Sequence, residues 1–321
     1  MISTELTRRL GLRLPIIGAP MGGASWGELT KAVGAAGGLG MIGVSNRSDA
    51  DFVRREAAVA AEVPFGIGVQ LWSLDRQPGV FEAVLESGAT LVSVSFGDPG
   101  PYVRPLHEAG MLVATQVNTV AEARHAVDAG VDVVVAQGGD AGGHSGATIG
   151  TLPLLQSVLA AVGDAAPVVA AGGIGSGRGL AAVLAAGAQA AWIGTRLLGA
   201  TESAGTAGAR KRVLEAEESD TVLTRVFDIG AGIAWPERYP GRALRNDFSD
   251  RWHGNEPDLA ADPAAGEALK DATRAGDYSQ AVVYAGPASA FVRAEEPVAD
   301  ILHRLVAEAE DCLRAASRLT R

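Results

Sequence analysis

Residues 131–146 read VDVVVAQGGDAGGHSG. The first seven carry four valines and almost no polar interruption. A strand with one wet face would alternate apolar and polar residues. This run does not, so it is expected to be buried on both faces, as in a parallel sheet covered by helices. The ten residues from Gln137 then hold five glycines and one histidine, His144. Packing cannot hold an imidazole in backbone so loose. The loop suits a close approach to something flat or anionic, with an acid–base group at its edge.

The same texture recurs on both sides of this stretch. Buried-strand runs appear as PIIGAP (15–20), LGMIGV (39–44), PFGIGVQL (64–71) and TLVSVSF (90–96), then as MLVATQV (111–117), PVVAAGGI (167–174) and AAWIGTR (190–196). Helix-like segments such as WGELTKAVGAAGG, FEAVLESGA, VAEARHAVDAG and LAAVLAAGA separate them, several closing on Ala-Gly or Ser-Gly, a usual helix stop. Eight such units match the count of a (β/α)8 TIM barrel. A doubly wound open sheet is the alternative, because periodicity does not reveal closure. After Thr201 the chain becomes more charged and richer in Trp and Pro. We expect a barrel from 1–202 plus 297–321, the last part an amphipathic helix packing back on it, and a small, mostly helical second domain over the barrel mouth from 203–296, with a helix near 264–275.

Composition narrows the function. The 321 residues are 47% hydrophobic and 5% aromatic, with 42 glycines and a formal net charge of −10. An acidic chain is a poor match for nucleic acid or an anionic membrane surface. Cys312 is the only cysteine, which leaves no internal disulfide and no multi-cysteine metal site. No His/Asp/Glu cluster has metal-ligand spacing, so no metal is expected. The start of the chain lacks the apolar core of a signal peptide, and the most apolar window, 180–194, is too short to span a bilayer. A cytoplasmic, soluble protein is expected.

Chemistry in such a barrel belongs at the C-terminal strand ends. Glycines collect there. Gly172-Gly173-Ile174-Gly175-Ser176-Gly177 follows strand seven, and Gly194-Thr195-Arg196 ends strand eight. Gly-rich turns beside a helix N-terminus cradle phosphate, commonly after strands seven and eight. GGIGSGRG (172–179) lacks the G-x-G-x-x-G spacing, and no Asp or Glu falls between Leu180 and Thr201, which disfavours a Rossmann site. A mononucleotide such as FMN fits better. His144 is then placed for proton transfer, or for hydrogen bonding to a developing anion. Asp140 is expected to fix its loop through backbone N–H groups. His107, His125 and His303 are read as solvent-facing, and His253 as structural.

Taken in order, PIIGAPMGG, AGGLGMIG, QGGDAGGHSG, PVVAAGGIGSGRG and AAWIGTRLL resemble the nitronate monooxygenases, formerly the 2-nitropropane dioxygenases. The resemblance covers residues 12–202, and RVFDIGAGIAWPERYPGRALRN with VVYAGPA extends it. It implies an FMN-dependent enzyme that oxidises alkyl nitronates with O2 to carbonyl compounds and nitrite, His144 serving as base or hydrogen-bond donor at the flavin. Ala19, Pro20 and Met21 would contact the flavin, Gln116 and Gln137 would hydrogen-bond it, and Gly142 and Gly143 would let the loop approach. Gly173 with Trp192, Ile193, Gly194 and Thr195 would hold the phosphate. The sequence departs from the family's usual pattern on strand three, where Gly68 or Gln70 stands for an Asn, and at Gln116 and Asp140, where some relatives carry Lys and Glu. The alternatives are an FMN-dependent NAD(P)H oxidoreductase of the same superfamily, an enoyl-acyl-carrier-protein or quinone reductase, and a non-catalytic flavin-binding protein. The expected partners are a small-molecule substrate and O2, with a homodimer as the candidate assembly.

Overall fold

The computed structural model describes residues 2–320. Strands β1 (Ile16–Gly18), β2 (Gly40–Gly43), β3 (Phe65–Gln70), β4 (Leu91–Ser95), β5 (Leu112–Val117), β6 (Val133–Gln137), β8 (Val168–Ala171) and β9 (Ala191–Ile193) run parallel in one sheet. Its order is β1-β9-β8-β6-β5-β4-β3-β2. Leu39 N–H donates to Ile16 O at 3.0 Å and Gly18 N–H to Leu39 O at 2.8 Å, which joins the first strand to the second. The sheet is therefore a TIM-type barrel, not an open doubly wound one.

The even burial of the strands has the cause expected. One residue parity (Ile17, Met41, Leu91, Val133, Val135, Val169, Trp192) fills the barrel, with Leu6 and Leu10 of the N-terminal segment plugging its floor. The other parity (Ile16, Ile42, Ile67, Val92, Val113, Val134, Val168, Ile193) meets the surrounding helices. Each fully buried branched side chain of this kind is worth roughly 1.5–3 kcal/mol. The 19-residue helix Val298–Ala316 completes the shell by burying Ile301, Leu302, Leu305 and Ala309. Among the described residues no helix is long and apolar enough to cross a membrane.

Residues 207–291 gather over the C-terminal strand ends. They are mainly helical, with Pro263–Ala275 where the sequence places a helix. They also form a small antiparallel sheet that the sequence texture did not reveal. In it β10 (Thr221–Thr224) pairs with β11 (Gly241–Leu244), and β11 pairs with a two-residue strand, β7 (Gly143–His144), taken from the glycine loop after β6. Runs of two to four residues are too short for an alternation to register.

Small residues let the layers approach. A Cβ on Gly40 would lie 2.1 Å from Thr30 O and 2.5 Å from its Cα, atoms that cannot swing aside. Gly40→Ala is therefore expected to cost at least about 1–3 kcal/mol in urea denaturation. Gly205→Ala, whose new Cβ would meet only Ser203 Oγ at 3.6 Å, should stay within about 0.5 kcal/mol of the parent.

Candidate active site

The inward-facing parity changes character toward the mouth. Below it is aliphatic; above come Gln70 on β3, Ser93 and Ser95 on β4, Gln116 on β5 and Gln137 on β6. These groups are not equally free. Gln137 is 5% exposed; its Nε2 donates to His144 O at 3.1 Å and its Oε1 accepts from Asn118 Nδ2 at 3.1 Å. Gln116 makes no side-chain hydrogen bond among the described residues. Gln70 Oε1 and Trp192 Nε1 are buried without partners, a costly state unless a bound group completes them. Pro20 lies against Gly68, where a Cβ would come within 2.3 Å of its ring. Of the two strand-three candidates, only Gln70 is left to present a polar group.

Around strands seven and eight, Gly172 and Gly173 adopt φ of 113° and 68°. Among the described residues the N–H groups of Gly173 and Ile174 donate to no protein acceptor, as in an anion-binding nest. The helix Gly177–Ala185 cannot contribute its first N–H: Gly177 N donates to Glu308 Oε2 at 2.7 Å, and Ser176 caps Gly179 N. An internal carboxylate already occupies that helix end. On the neighbouring strand, Gly194 lies beside Ala19 and Met21, while Ile193 sends its side chain into the outer core. Thr195 Oγ1 accepts from Gly286 N at 3.0 Å. Arg196 is buried with one nitrogen against Glu296 at 2.7 Å, while its Nη1 is buried without a partner.

The loop after β6 is held at many points. Asp140 accepts from Thr151 N at 2.7 Å, the backbone anchorage expected of it. Asn118 Nδ2 donates to Gln137 O at 2.8 Å and to Ser145 Oγ at 3.2 Å, while its Oδ1 accepts from Gly146 N at 3.0 Å. Gly142 has a role the sequence did not show: a Cβ there would sit 2.5 Å from Gly286 N, so the missing side chain admits residues 285–286. Gly143 supplies a φ of 75°. A cavity of about 500 Å³ lies on the other side of this loop, lined by Asp140, Ser145, Ile149 and Arg242, and His144 does not line it.

His144 is enclosed by residues from the other end of the chain. Its ring stacks on Trp235 with centroids 3.7 Å apart and planes 10° apart. Trp235 in turn packs on Trp72 at 4.5 Å and on the edge of Phe96 at 5.1 Å. Phe96 has φ 65°, alone among described non-glycine residues in the left-handed region, a strain of order 1–3 kcal/mol that its wedged ring sustains. His144 Nε2 meets Asp228 Oδ2 at 3.0 Å and Oδ1 at 3.2 Å. Tyr284 OH donates to Asp228 Oδ1 at 3.0 Å. Burial, and then the Asp228 carboxylate, push the Tyr284 phenol well above its ordinary range, so it stays a donor. Nδ1 has no protein partner among the described residues. Sequence reading gave Asp228, Trp235 and Tyr284 no role, although the stretches RVFDIGAGIAWPERYPGRALRN and VVYAGPA contain them; they lie 84 or more positions beyond His144. The other histidines pair at the periphery, His107 with Asp132 and His125 with Asp98.

An imidazole with one nitrogen on a carboxylate and the other without a protein partner can take up or release one proton. The chain matches the nitronate monooxygenase family model over residues 75–308. The chain belongs to the nitronate monooxygenase family. A nitronate monooxygenase of Pseudomonas aeruginosa is 33% identical, covering 96% of this chain and 99% of its own. A Mycobacterium tuberculosis relative, a (3aS,4S,5R,7aS)-5-hydroxy-7a-methyl-1-oxo-octahydro-1H-indene-4-carboxyl-CoA dehydrogenase, is 34% identical over 78% of this chain and 68% of its own. The structure of FabK from Thermotoga maritima superposes with a TM-score of 0.85 at 29% identity, covering 99% of this chain and all of that one. The protein is an oxidoreductase.

Asn118 ties Gln137, Ser145 and Gly146 together. Asn118→Ala would strand buried partners and is expected to lower stability by about 1–3 kcal/mol, read as a shift of the urea midpoint.

Proposed function

We propose that the protein oxidises alkyl nitronates with O2, two nitronates and one O2 giving two carbonyl compounds and two nitrites, with FMN as cofactor. The observation that carries this reading is a single imidazole at the barrel mouth with one nitrogen bound to a carboxylate and the other unpartnered. The neighbouring residues fit FMN. The unpaired N–H groups of Gly173 and Ile174, with Gly194 and Thr195 alongside, suit its phosphate. The buried orphans Gln70 Oε1 and Trp192 Nε1, with Gln116, offer hydrogen bonds to a polar ring or its ribityl chain, and Ala19, Pro20 and Met21 an apolar edge. Gln137 acts through the loop it braces, and Gly142 and Gly143 through the backbone path they permit. When bound, FMN supplies the electron transfer that amino acids lack.

The protein's own work is binding and proton handling. The imidazole can accept the proton that separates a neutral nitroalkane from its nitronate, or donate a hydrogen bond to the nitro oxygens of a nitronate already formed. Trp72, Phe96, Trp235 and Tyr239 wall the space around it and limit water.

A second reading, an NAD(P)H-dependent reductase, draws support from the CoA-ester dehydrogenase relative and the likeness to FabK. Anaerobic mixing separates the two. Bleaching or a radical spectrum of the bound flavin with propyl-2-nitronate, and nitrite under air, is expected; rapid bleaching by NADH and none by nitronate would establish the reductase instead. With nitroethane, whose proton must be removed, His144→Ala is expected to lower kcat about 100-fold or more with the flavin still bound. Loss of the flavin in that variant would mean that the residue is structural.

A further inference from the structure

His144, Asp228 and Tyr284 come from three separated segments and meet at one point of the mouth. We propose that Asp228, steadied by Tyr284, is a positioning residue that fixes the tautomer of His144, keeping the proton on Nε2 and leaving Nδ1 as the basic nitrogen offered to substrate. This deepens the functional reading above and rests on it for the role of the base.

The hydrogen-bond inventory gives the direction. Asp228 is 4% exposed, and a buried carboxylate must find donors. Tyr284 OH supplies one at 3.0 Å. The nitrogen at 3.0 Å and 3.2 Å from the two oxygens has to supply the other. The opposite tautomer would turn the Nε2 lone pair toward a carboxylate in a setting with little water. The ring cannot rotate out of the conflict, because Trp235 lies flat on it at 3.7 Å. Its backbone cannot shift either: Gly143 and His144 pair with Arg242 and Gly241, and Gln137 holds His144 O. The same shell also leaves few other charges near the pair. Arg47 acts on Tyr284 from the barrel side.

Such an arrangement matters for a neutral nitroalkane. The C–H proton passes to Nδ1 and the C–H electron pair becomes the C=N bond of the nitronate. Asp228 stabilises the imidazolium, and the proton is later released to water. No redox partner is involved in this step. A nitronate supplied ready-made does not need it.

The test uses the full-length holoenzyme with 15N-labelled histidine, the His144 signals being assigned by their loss in His144→Ala. In the parent we expect a protonated Nε2 and a bare Nδ1. Asp228→Asn presents an amide that can donate to Nε2, so the proton should move to Nδ1. With nitroethane its kcat/KM should fall about 10³–10⁴-fold, as when a carboxylate that orients a catalytic histidine becomes an amide. With ethylnitronate, which needs no proton removed, the fall should be much smaller. Tyr284→Phe leaves Asp228 one donor and should keep the Nε2–H tautomer, giving a reading that does not depend on how Asp228→Asn folds. A parent with Nδ1 protonated, an unchanged tautomer in Asp228→Asn, or equal falls on both substrates would overturn the proposal. If the parent turns over neither nitro compound, the functional reading fails, yet the tautomer still decides whether Asp228 positions His144.

Discussion

The two-residue ladder between Gly143–His144 and Gly241–Arg242 is the contact on which the site depends. It is small, yet it joins a barrel loop to the sheet of the covering region, with Ser145 N donating to Pro240 O at 3.2 Å and Arg242 Nε to Gly139 O at 3.1 Å on either side. A glycine-rich loop has the most conformational freedom to lose on folding. Here that freedom is removed by another segment's backbone rather than by the loop's own side chains. The imidazole gains a fixed place without the bulk that would fill the mouth.

The barrel was readable because its signal is long-range in sequence and short-range in physics. Continuous apolar runs and Ala-Gly stops need no partner to be recognised, and eight of them imply a count. Closure was not readable. It rests on two hydrogen bonds at Leu39 that no periodicity encodes. The glycines at the strand ends were visible, but their reasons were not. Gly142 admits Gly286, Gly40 admits the backbone of Thr30, and Gly173 takes a left-handed φ. A glycine in a sequence marks that something comes close without saying what.

The electrostatic details were the least legible. The turn after strand seven was expected to lend its helix N-terminus to a phosphate, and Arg196 stands at the end of strand eight beside it. The structure gives the first Gly177 N–H to Glu308, 131 positions away, and pairs Arg196 with Glu296. Both partners lie in the last 26 residues of the chain, where the sequence shows only a charged amphipathic helix and the turn before it. A charged residue's partner is set by the fold, so spacing along the chain cannot announce it. Asp228 is the same case. In RVFDIGAG it reads as an ordinary acid in a helix start, and only the fold puts it within 3.0 Å of an imidazole.

The two parts of the chain divide the construction of the site between them. The glycine turns and the His144 loop come from the barrel. What touches the imidazole comes almost entirely from residues 228–284: a carboxylate at Nε2, a flat indole on the ring face and a phenol behind the carboxylate. Changing those three would alter the partner and the accessible face of the histidine while leaving every barrel motif intact. A nitronate monooxygenase and a CoA-ester dehydrogenase lie at similar identity to this chain. The residues that touch the imidazole are few and scattered along the chain, yet they lie within the span that matches the family.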